Sequence, residues 1–438
     1  MVALWIRVGT WLAGNGAIGV RLLAPLASAL GSVLLVRAGD DLLPGRRAGL
    51  TAAILLNATL LFGIGAATMT PDTPLLLFWT GTLWALGRLY VTRRGVWWLI
   101  AGLAAGLALD SKYTAVLLLP AIAAWVGATP VVRPWLRRWE PWAAVCLAGL
   151  VFAPVLVWNA DHDWISFSRQ AGRAADWKPS RALQYIVELL AGQVGLATPL
   201  IAVLLGAGIV LAVRRAREPA WSLLAALTVI PALVFVQHAL GDRVQANWPA
   251  IIYPAASIAA AGLASDQGAA RWLRLLWPGA ALGLALTALV WVQAIFAPFP
   301  LPLGWDPTLL RLGGWHDLAA AVDAARQPQT AFVAAESYGD AAILARLLPD
   351  DVPVVGVDPR WSFFRFPDGR STIAGHTGLL LRSARRADVR ETSDWAELTP
   401  IGTLARQRDG VTAERYWLYR VVGREGGVPA AVMPARRP

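Results

Sequence analysis

The chain has 438 residues, of which 57% are hydrophobic and only 15% charged, and its net charge is +11. That balance excludes an ordinary soluble globular protein and is the composition of a polytopic membrane protein. A single cysteine, Cys146, excludes a disulfide framework or a cysteine-based metal site, and the four histidines are too scattered to suggest a zinc cluster.

Residues 1–16, MVALWIRVGTWLAGNG, are amphipathic and rich in tryptophan, and predict an interfacial helix. They lack the basic start and clean apolar core of a signal peptide. About ten apolar spans follow, over residues 17–36, 48–67, 74–90, 96–109, 113–128, 141–158, 196–213, 221–238, 248–264 and 274–296. Helices are expected throughout, because in lipid an open chain must satisfy its own backbone hydrogen bonds. Residues 96–128 as one helix would run about 50 Å, too long for one crossing. Two shorter helices meeting at Asp110-Ser111-Lys112 resolve this and put that break inside a cavity, where charge is costly and usually functional.

Two kinds of break separate the spans. Arginine-rich ones run from Arg37 to Arg47, Arg88 to Arg94, Arg133 to Arg138, Arg214 to Arg217 and Arg271 to Arg274. The others hold isolated acids, a lysine, a histidine and amides: Thr70-Pro71-Asp72-Thr73-Pro74, Asp110-Ser111-Lys112, Asn159 to Trp164, and Asp242-Arg243 to Asn247. Positive charge stays in the cytoplasm, so the second kind is expected to face the opposite compartment. The arginines sit in short loops where topology accounts for them, so no nucleic-acid partner is expected. Beyond residue 296 the character changes. Pro298, Pro300, Pro302 and Pro307 predict a stiff linker over 297–307, and residues 308–438 predict a small soluble α/β domain. Its helices are expected over 315–327 and 338–348, and its strands over 330–335, 352–357 and 416–422.

Five stretches carry a resemblance: GVRL (19–22), ATMTPDTPLLLFW (67–79), GLALDSKYTAVLLLP (106–120), PVLVWNADHDWISFSRQ (154–170) and DRVQANWPA (242–250). In order, spacing and common face they resemble the type C membrane glycosyltransferases, in the bacterial branch related to protein O-mannosyltransferases and the aminoarabinose transferase of lipid A. The resemblance covers about residues 1–300 well and the remainder loosely. It implies an α-helical polytopic membrane bundle, multi-pass in the bacterial inner membrane, with residues 17–296 as the transferase domain and a small C-terminal α/β domain in the periplasm. It implies a polyprenyl-phosphate-sugar donor and a lipid, glycan or protein acceptor, with membrane lipids as the surroundings. No firm cofactor is implied, and a divalent cation stays open. The resemblance places the main catalytic aspartate, often an Asp-Glu pair, between a first membrane helix and an interfacial helix. This sequence starts at what resembles that interfacial helix, so the catalytic acid maps onto no residue here. A start lying upstream is the expectation. A lipid-linked-sugar flippase or an inactive, binding-only paralogue are the alternative functions.

The candidate site residues follow from the resemblance, each with a plainer reading beside it. Asp72, fixed between two prolines, matches an auxiliary acidic position that orients the acceptor or a metal, or else N-caps the following helix. Lys112, one of two lysines with Lys178, is expected to neutralise the donor phosphate, or else simply pairs with Asp110. Arg243 is a second phosphate ligand or a surface charge. Asn247 and Trp248 contact sugar hydroxyls or anchor the interface. Asn159, Asp161, His162 and Asp163 are an acid–base pair or a weak metal site, with Asn159 and His162 as substrate ligands, or else a solvated loop. Arg21 contacts a lipid phosphate or snorkels to the interface. Glu188 is a further cavity acid.

Overall fold

The computed structural model describes residues 1–45, 47–175, 177–263, 269–358, 361, 364, 366–386, 395–426 and 430–434. Arg46 of the first arginine-rich break and Ala264 at the end of the ninth predicted span lie outside them. The chain divides into two compact units, Met1–Leu289 and Val290–Pro438.

The first unit is helical. It opens with α1 (Val2–Ala13), α2 (Ala17–Arg21), α3 (Leu23–Leu42), α4 (Ala48–Asn57) and α5 (Leu60–Gly65). Then come α6 (Asp72–Thr92), α7 (Val96–Ser111), a 3-10 turn Tyr113–Leu117, α8 (Leu118–Ala128), α9 (Trp139–Ala160) and α10 (Ile165–Ala175). It continues with α11 (Ala182–Ala197), α12 (Pro199–Arg214), α13 (Pro219–Ala239), a 3-10 turn Trp248–Ile252, α14 (Tyr253–Leu263) and α15 (Ala269–Phe296), whose last residues belong to the second unit.

Small residues let these helices approach closely, as is common where lipid supplies no hydrophobic drive between them. A Cβ on Gly102 of α7 would meet the Ala144 carbonyl oxygen of α9, and one on Gly208 of α12 would meet the Ala260 backbone nitrogen of α14. Trp79, Trp125 and Trp221 fill the centre, and the Trp125 indole N–H donates to the Pro219 carbonyl at 2.9 Å. Leu26, Leu30 and Val33 of α3 and Leu150 and Val157 of α9 are exposed. Such apolar faces suit a hydrocarbon surrounding.

Among the described residues, four helices are long and apolar enough to cross a membrane: Ala17–Leu42, Trp139–Ala160, Pro219–Ala239 and Arg274–Phe296. The pair Pro179–Ala197 and Pro199–Arg214, bent by 109°, makes a fifth if counted as one span. Shorter apolar helices are Val2–Ala13, Ala48–Asn57, Val96–Ser111, Tyr113–Ala128 and Trp248–Leu263, and the expected count of about ten is not confirmed. Several predicted spans are broken or short. The 48–67 span splits at Thr59, whose hydroxyl caps α5 by accepting from the Phe62 N–H and donates to the Leu56 carbonyl. The 248–264 span begins as a 3-10 turn at Pro249, and 96–128 breaks at Lys112.

The second unit adds α16 (Pro307–Leu312), α17 (Trp315–Ala324), β1 (Phe332–Ala335), α18 (Tyr338–Leu347), β2 (Val354–Val357), α19 (Arg370–Ile373), β3 (Thr377–Ser383), β4 (Trp395–Arg408), β5 (Val411–Gly423) and β6 (Ala430–Val432). The strands form one sheet in the order β4-β5-β3-β1-β2-β6. Central β1 pairs in parallel with β2 and β3, while β5 and β6 join antiparallel. All four residues of β1 are buried, as a strand covered on both faces requires. Two buried ionic features brace this unit. Arg382 grips Glu336 through a bidentate pair, both side chains 4% exposed. Asp306 caps α16 by accepting from the Thr308 and Leu309 N–H groups, and its other oxygen accepts from Gln293 at 2.8 Å and Arg408 at 2.6 Å.

Candidate active site

Three interruptions of helix bring three of the candidate residues together. The Thr70-Pro71-Asp72-Thr73-Pro74 turn is pinned by Thr73, whose hydroxyl accepts from the Thr70 N–H at 3.2 Å and donates to the Thr68 carbonyl at 2.8 Å. Asp72 therefore falls in the first turn of α6, where an anion is favoured by the helix dipole. It does not cap that helix with its side chain. Lys112 is the extended residue between α7 and the following 3-10 turn, with φ −161° and ψ 135°. Asn247 immediately precedes the 3-10 turn Trp248–Ile252, a turn that Pro249 helps to start.

The Lys112 Nζ donates to Asp72 Oδ1 at 2.6 Å, and the Asn247 Nδ2 donates to Asp72 Oδ2 at 2.7 Å. Both carboxylate oxygens are thus engaged. The ion pair is mostly shielded, with Lys112 21% and Asp72 17% exposed. Lys112 takes Asp72 rather than Asp110 as its partner; Asp110 lies 3.6 Å from the Met1 amino nitrogen instead. Of three ammonium donors, one is held by Asp72, so the lysine is aimed while retaining donors for a ligand. The Asn247 loop is itself supported. Gln193 donates to the Ala246 carbonyl at 2.9 Å, and the Tyr253 hydroxyl donates to the Gln193 side-chain oxygen at 3.1 Å. Gln193 was not singled out in the sequence; a glutamine inside an apolar helix was the available signal.

Asp72 and Asn247 border a cavity of about 300 Å³ whose other walls are mostly apolar, with Leu60, Phe62 and Leu76 beside the hydroxyls of Thr68, Thr70 and Thr73. One polar end on a greasy chamber suits an amphiphilic ligand.

The remaining candidates lie elsewhere. Arg243 and Glu188 pair with each other, Nε to Oε2 at 2.8 Å, with Arg243 64% exposed. His238 stands 3.6 Å from Asp242 and its ring contacts Trp248. Asn159 is fully buried, and its amide serves its own turn: Nδ2 donates to the Val155 carbonyl and Oδ1 accepts from the Ser166 N–H. Both ends of the amide are committed within the fold. His162 stacks on Trp158, its Nδ1 2.7 Å from the Trp158 carbonyl oxygen, and Asp161 and Asp163 are exposed. Arg21 is exposed on α2 and makes no ion pair among the described residues. Among the described residues no three His, Cys, Asp or Glu side chains gather as a metal would need.

Residues 1–158 match the dolichyl-phosphate-mannose-protein mannosyltransferase family. Over 291 residues, 66% of this chain, the protein is 28% identical to the lipid A galacturonosyltransferase RgtD of Rhizobium johnstonii, covering 58% of that protein. It is 32% identical over 133 residues to an undecaprenyl phosphate-alpha-4-amino-4-deoxy-L-arabinose arabinosyl transferase of Sodalis glossinidius, which covers 28% of this chain and 23% of that one. The chain thus spans less than two thirds of the length of these curated relatives. Its fold is similar to that of ArnT from Cupriavidus metallidurans bound to undecaprenyl phosphate, with a TM-score of 0.55 at 14% identity, over 96% of this chain and 87% of that one. The apo state of the same enzyme gives 0.56, over 95% and 86%. At that identity the likeness is one of fold. Matched family, curated relatives and fold together support the resemblance read from the sequence, to a type C membrane glycosyltransferase of the ArnT and mannosyltransferase kind.

Proposed function

We propose that this protein transfers a sugar from a polyprenyl-phosphate carrier to a lipid, glycan or protein acceptor at the periplasmic face of the bacterial inner membrane. The observation that carries the reading is the Asp72–Lys112–Asn247 cluster, in which Asp72 and Asn247 border a mostly apolar chamber. The leaving group of such a transfer is a lipid phosphate, on which negative charge builds as the bond to the anomeric carbon breaks. A fixed ammonium stabilises that charge more in the transition state than in the ground state, and so speeds departure. Lys112 is that ammonium. Asp72 holds it in place and Asn247 fixes the Asp72 carboxylate, so the cation is oriented before the phosphate arrives. Asp72 also gives the acceptor side a carboxylate to orient against. Curated relatives named for undecaprenyl-phosphate and lipid A chemistry, and a similar fold seen with undecaprenyl phosphate bound, support the donor class. No residue of this chain is assigned as the base that takes the acceptor proton. The proposed sidedness is supported by the arginine-rich breaks, which favour the cytoplasm and leave the other face to the cluster.

The test is binding of undecaprenyl phosphate to the chain in nanodiscs. Lys112→Ala is expected to weaken it by about tenfold or more, the scale of one charge-assisted hydrogen bond. Equal binding by the variant and the parent overturns the reading.

A further inference from the structure

The corner between α9 and α10 is built at a cost. Two consecutive non-glycine residues, Asp163 and Trp164, adopt left-handed backbone with φ of 52° and 54°. Side-chain-bearing L-residues take that conformation only where surrounding contacts impose it. Here the imposing group is Asn159, buried at the end of α9. Its amide donates back to the Val155 carbonyl at 2.8 Å and accepts from the Ser166 N–H in the first turn of α10 at 3.2 Å, while its carbonyl accepts from the Trp164 N–H at 2.8 Å. One side chain therefore staples the two helices across the strained turn.

The staple delivers an aromatic contact. Phe167 of α10 lies flat on Tyr113, with ring centroids 5.2 Å apart and planes within 7°. Phe152 of α9 meets the same tyrosine edge-on at 6.0 Å and 87°. Tyr113 is clamped by rings from both sides of the corner, and Tyr113 is the residue after Lys112. Lys112 itself is extended, outside any regular helix. Besides its pair with Asp72 and its backbone bonds to Ala108 and Ala115, its direction depends on how the next residue is held.

We propose that Asn159 and Phe167 are positioning residues for Lys112. They hold Tyr113, Tyr113 fixes the break, and the break aims the ammonium at Asp72 and the donor phosphate. The functional value of this arrangement rests on the phosphate reading given above, although the positioning itself does not. Asn159, read from the sequence as a substrate ligand, acts on the reaction through Lys112 instead.

The chain's two lysines, Lys112 and Lys178, make the test direct. Full-length protein in nanodiscs, labelled with ¹³C at the lysine side chains, gives two Cε resonances, assigned with Lys178→Arg. Phe167→Ala and Asn159→Ala are expected to shift the Lys112 resonance and leave Lys178 in place. Phe167→Tyr, which keeps the stack, is expected to restore the parent position. Phe167→Ala is also expected to weaken undecaprenyl phosphate binding about two- to tenfold, the range one aromatic pair converts to. A Lys112 resonance unmoved by Phe167→Ala overturns the proposal. If a variant fails to fold, both resonances move, and the milder Phe167→Leu decides on the same criterion. Undecaprenyl phosphate added to the parent separates the two ideas. A Lys112 resonance that ignores the lipid sinks the phosphate reading, and the lipid-free spectra still decide the positioning.

Discussion

Asn247 reaches back across 175 residues of sequence to donate to Asp72 at 2.7 Å. The same carboxylate takes Lys112, 40 residues away, on its other oxygen. The carboxylate therefore orders two distant segments at once, and each arm can be cut separately.

Cutting the ionic arm distinguishes a site from a structural brace. Asp72→Asn alone strands a shielded ammonium and is expected to lower stability by about 1–3 kcal/mol, the penalty of leaving one partner of such a pair uncompensated, reduced for partial exposure. Pairing it with Lys112→Met is expected to recover most of that stability in a thermal melt. Undecaprenyl phosphate binding is expected to stay weak in the double variant. Recovery of binding together with stability would show that the pair only holds helices together.

Cutting the amide arm acts on geometry and leaves the charges alone. Asn247→Ala frees Asp72 Oδ2 and lets the carboxylate rotate. The expected result is a donor affinity reduced by about fivefold, less than a full charged hydrogen bond because the amide acts through Asp72, with the melting temperature changed by less than for Asp72→Asn. Asn247→Asp sets a second carboxylate against Asp72 and is expected to be worse than alanine in the same binding assay.

The three residues of this cluster were legible because each is a polar residue at a break in apolar sequence. Their mutual contacts were not, since separations of 40 and 175 residues leave no local pattern. Asn159 is the opposite case. In sequence it belongs to a polar run and reads as a ligand, yet it points into its own turn, and only the folded corner reveals that. In the second unit the β1 and β2 strands and the α17 and α18 helices follow their apolar periods. β4 was missed because it is an edge strand, largely exposed, with register shifts around Pro400 and Gly402, so it shows no alternation. Buried Arg406 was invisible for another reason. It donates to the carbonyls of Leu309, Leu310 and Gly313, closing the end of α16 from a strand nearly a hundred residues away.

Acid sensitivity of the second unit is expected to centre on Asp306. Burial opposes its ionisation, but hydrogen bonds from Thr308, Gln293 and the Leu309 N–H, with the Arg408 charge, outweigh it and hold the carboxyl at about 2. The unfolded value is higher, so the folded state gains from the ionised form. That gain is fully present above about pH 4 and is lost as pH falls through about 2. It amounts to about 2 kcal/mol. Asp306→Asn is expected to lower the melting temperature at pH 7 and to flatten its dependence between pH 4 and 2. An unchanged acid limb in the variant would assign the sensitivity to other carboxylates.

Glu336 and Arg382 carry the sharpest stability prediction. Either Glu336→Leu or Arg382→Met leaves one charge almost fully buried and is expected to cost about 3–5 kcal/mol. The double change Glu336→Leu with Arg382→Met is expected to cost much less than either alone, because apolar groups of similar volume need no compensation. Urea unfolding of the four proteins checks the cycle, and additive losses would show the two residues acting independently.

The extended backbone at Lys112 has a consequence for hydration. In the membrane reading, a break at this depth stands inside protein or beside a water-filled cavity, and the Lys112 peptide is paired within the fold, its N–H with the Ala108 carbonyl and its carbonyl with the Ala115 N–H, each at 3.0 Å. The break therefore stands without water, whether or not water or lipid fills the chamber bordered by Asp72 and Asn247. A detergent or sterol that fills that chamber is expected to leave the Lys112 backbone extended, and to reach the lysine only through the Asp72 carboxylate that chamber and lysine share.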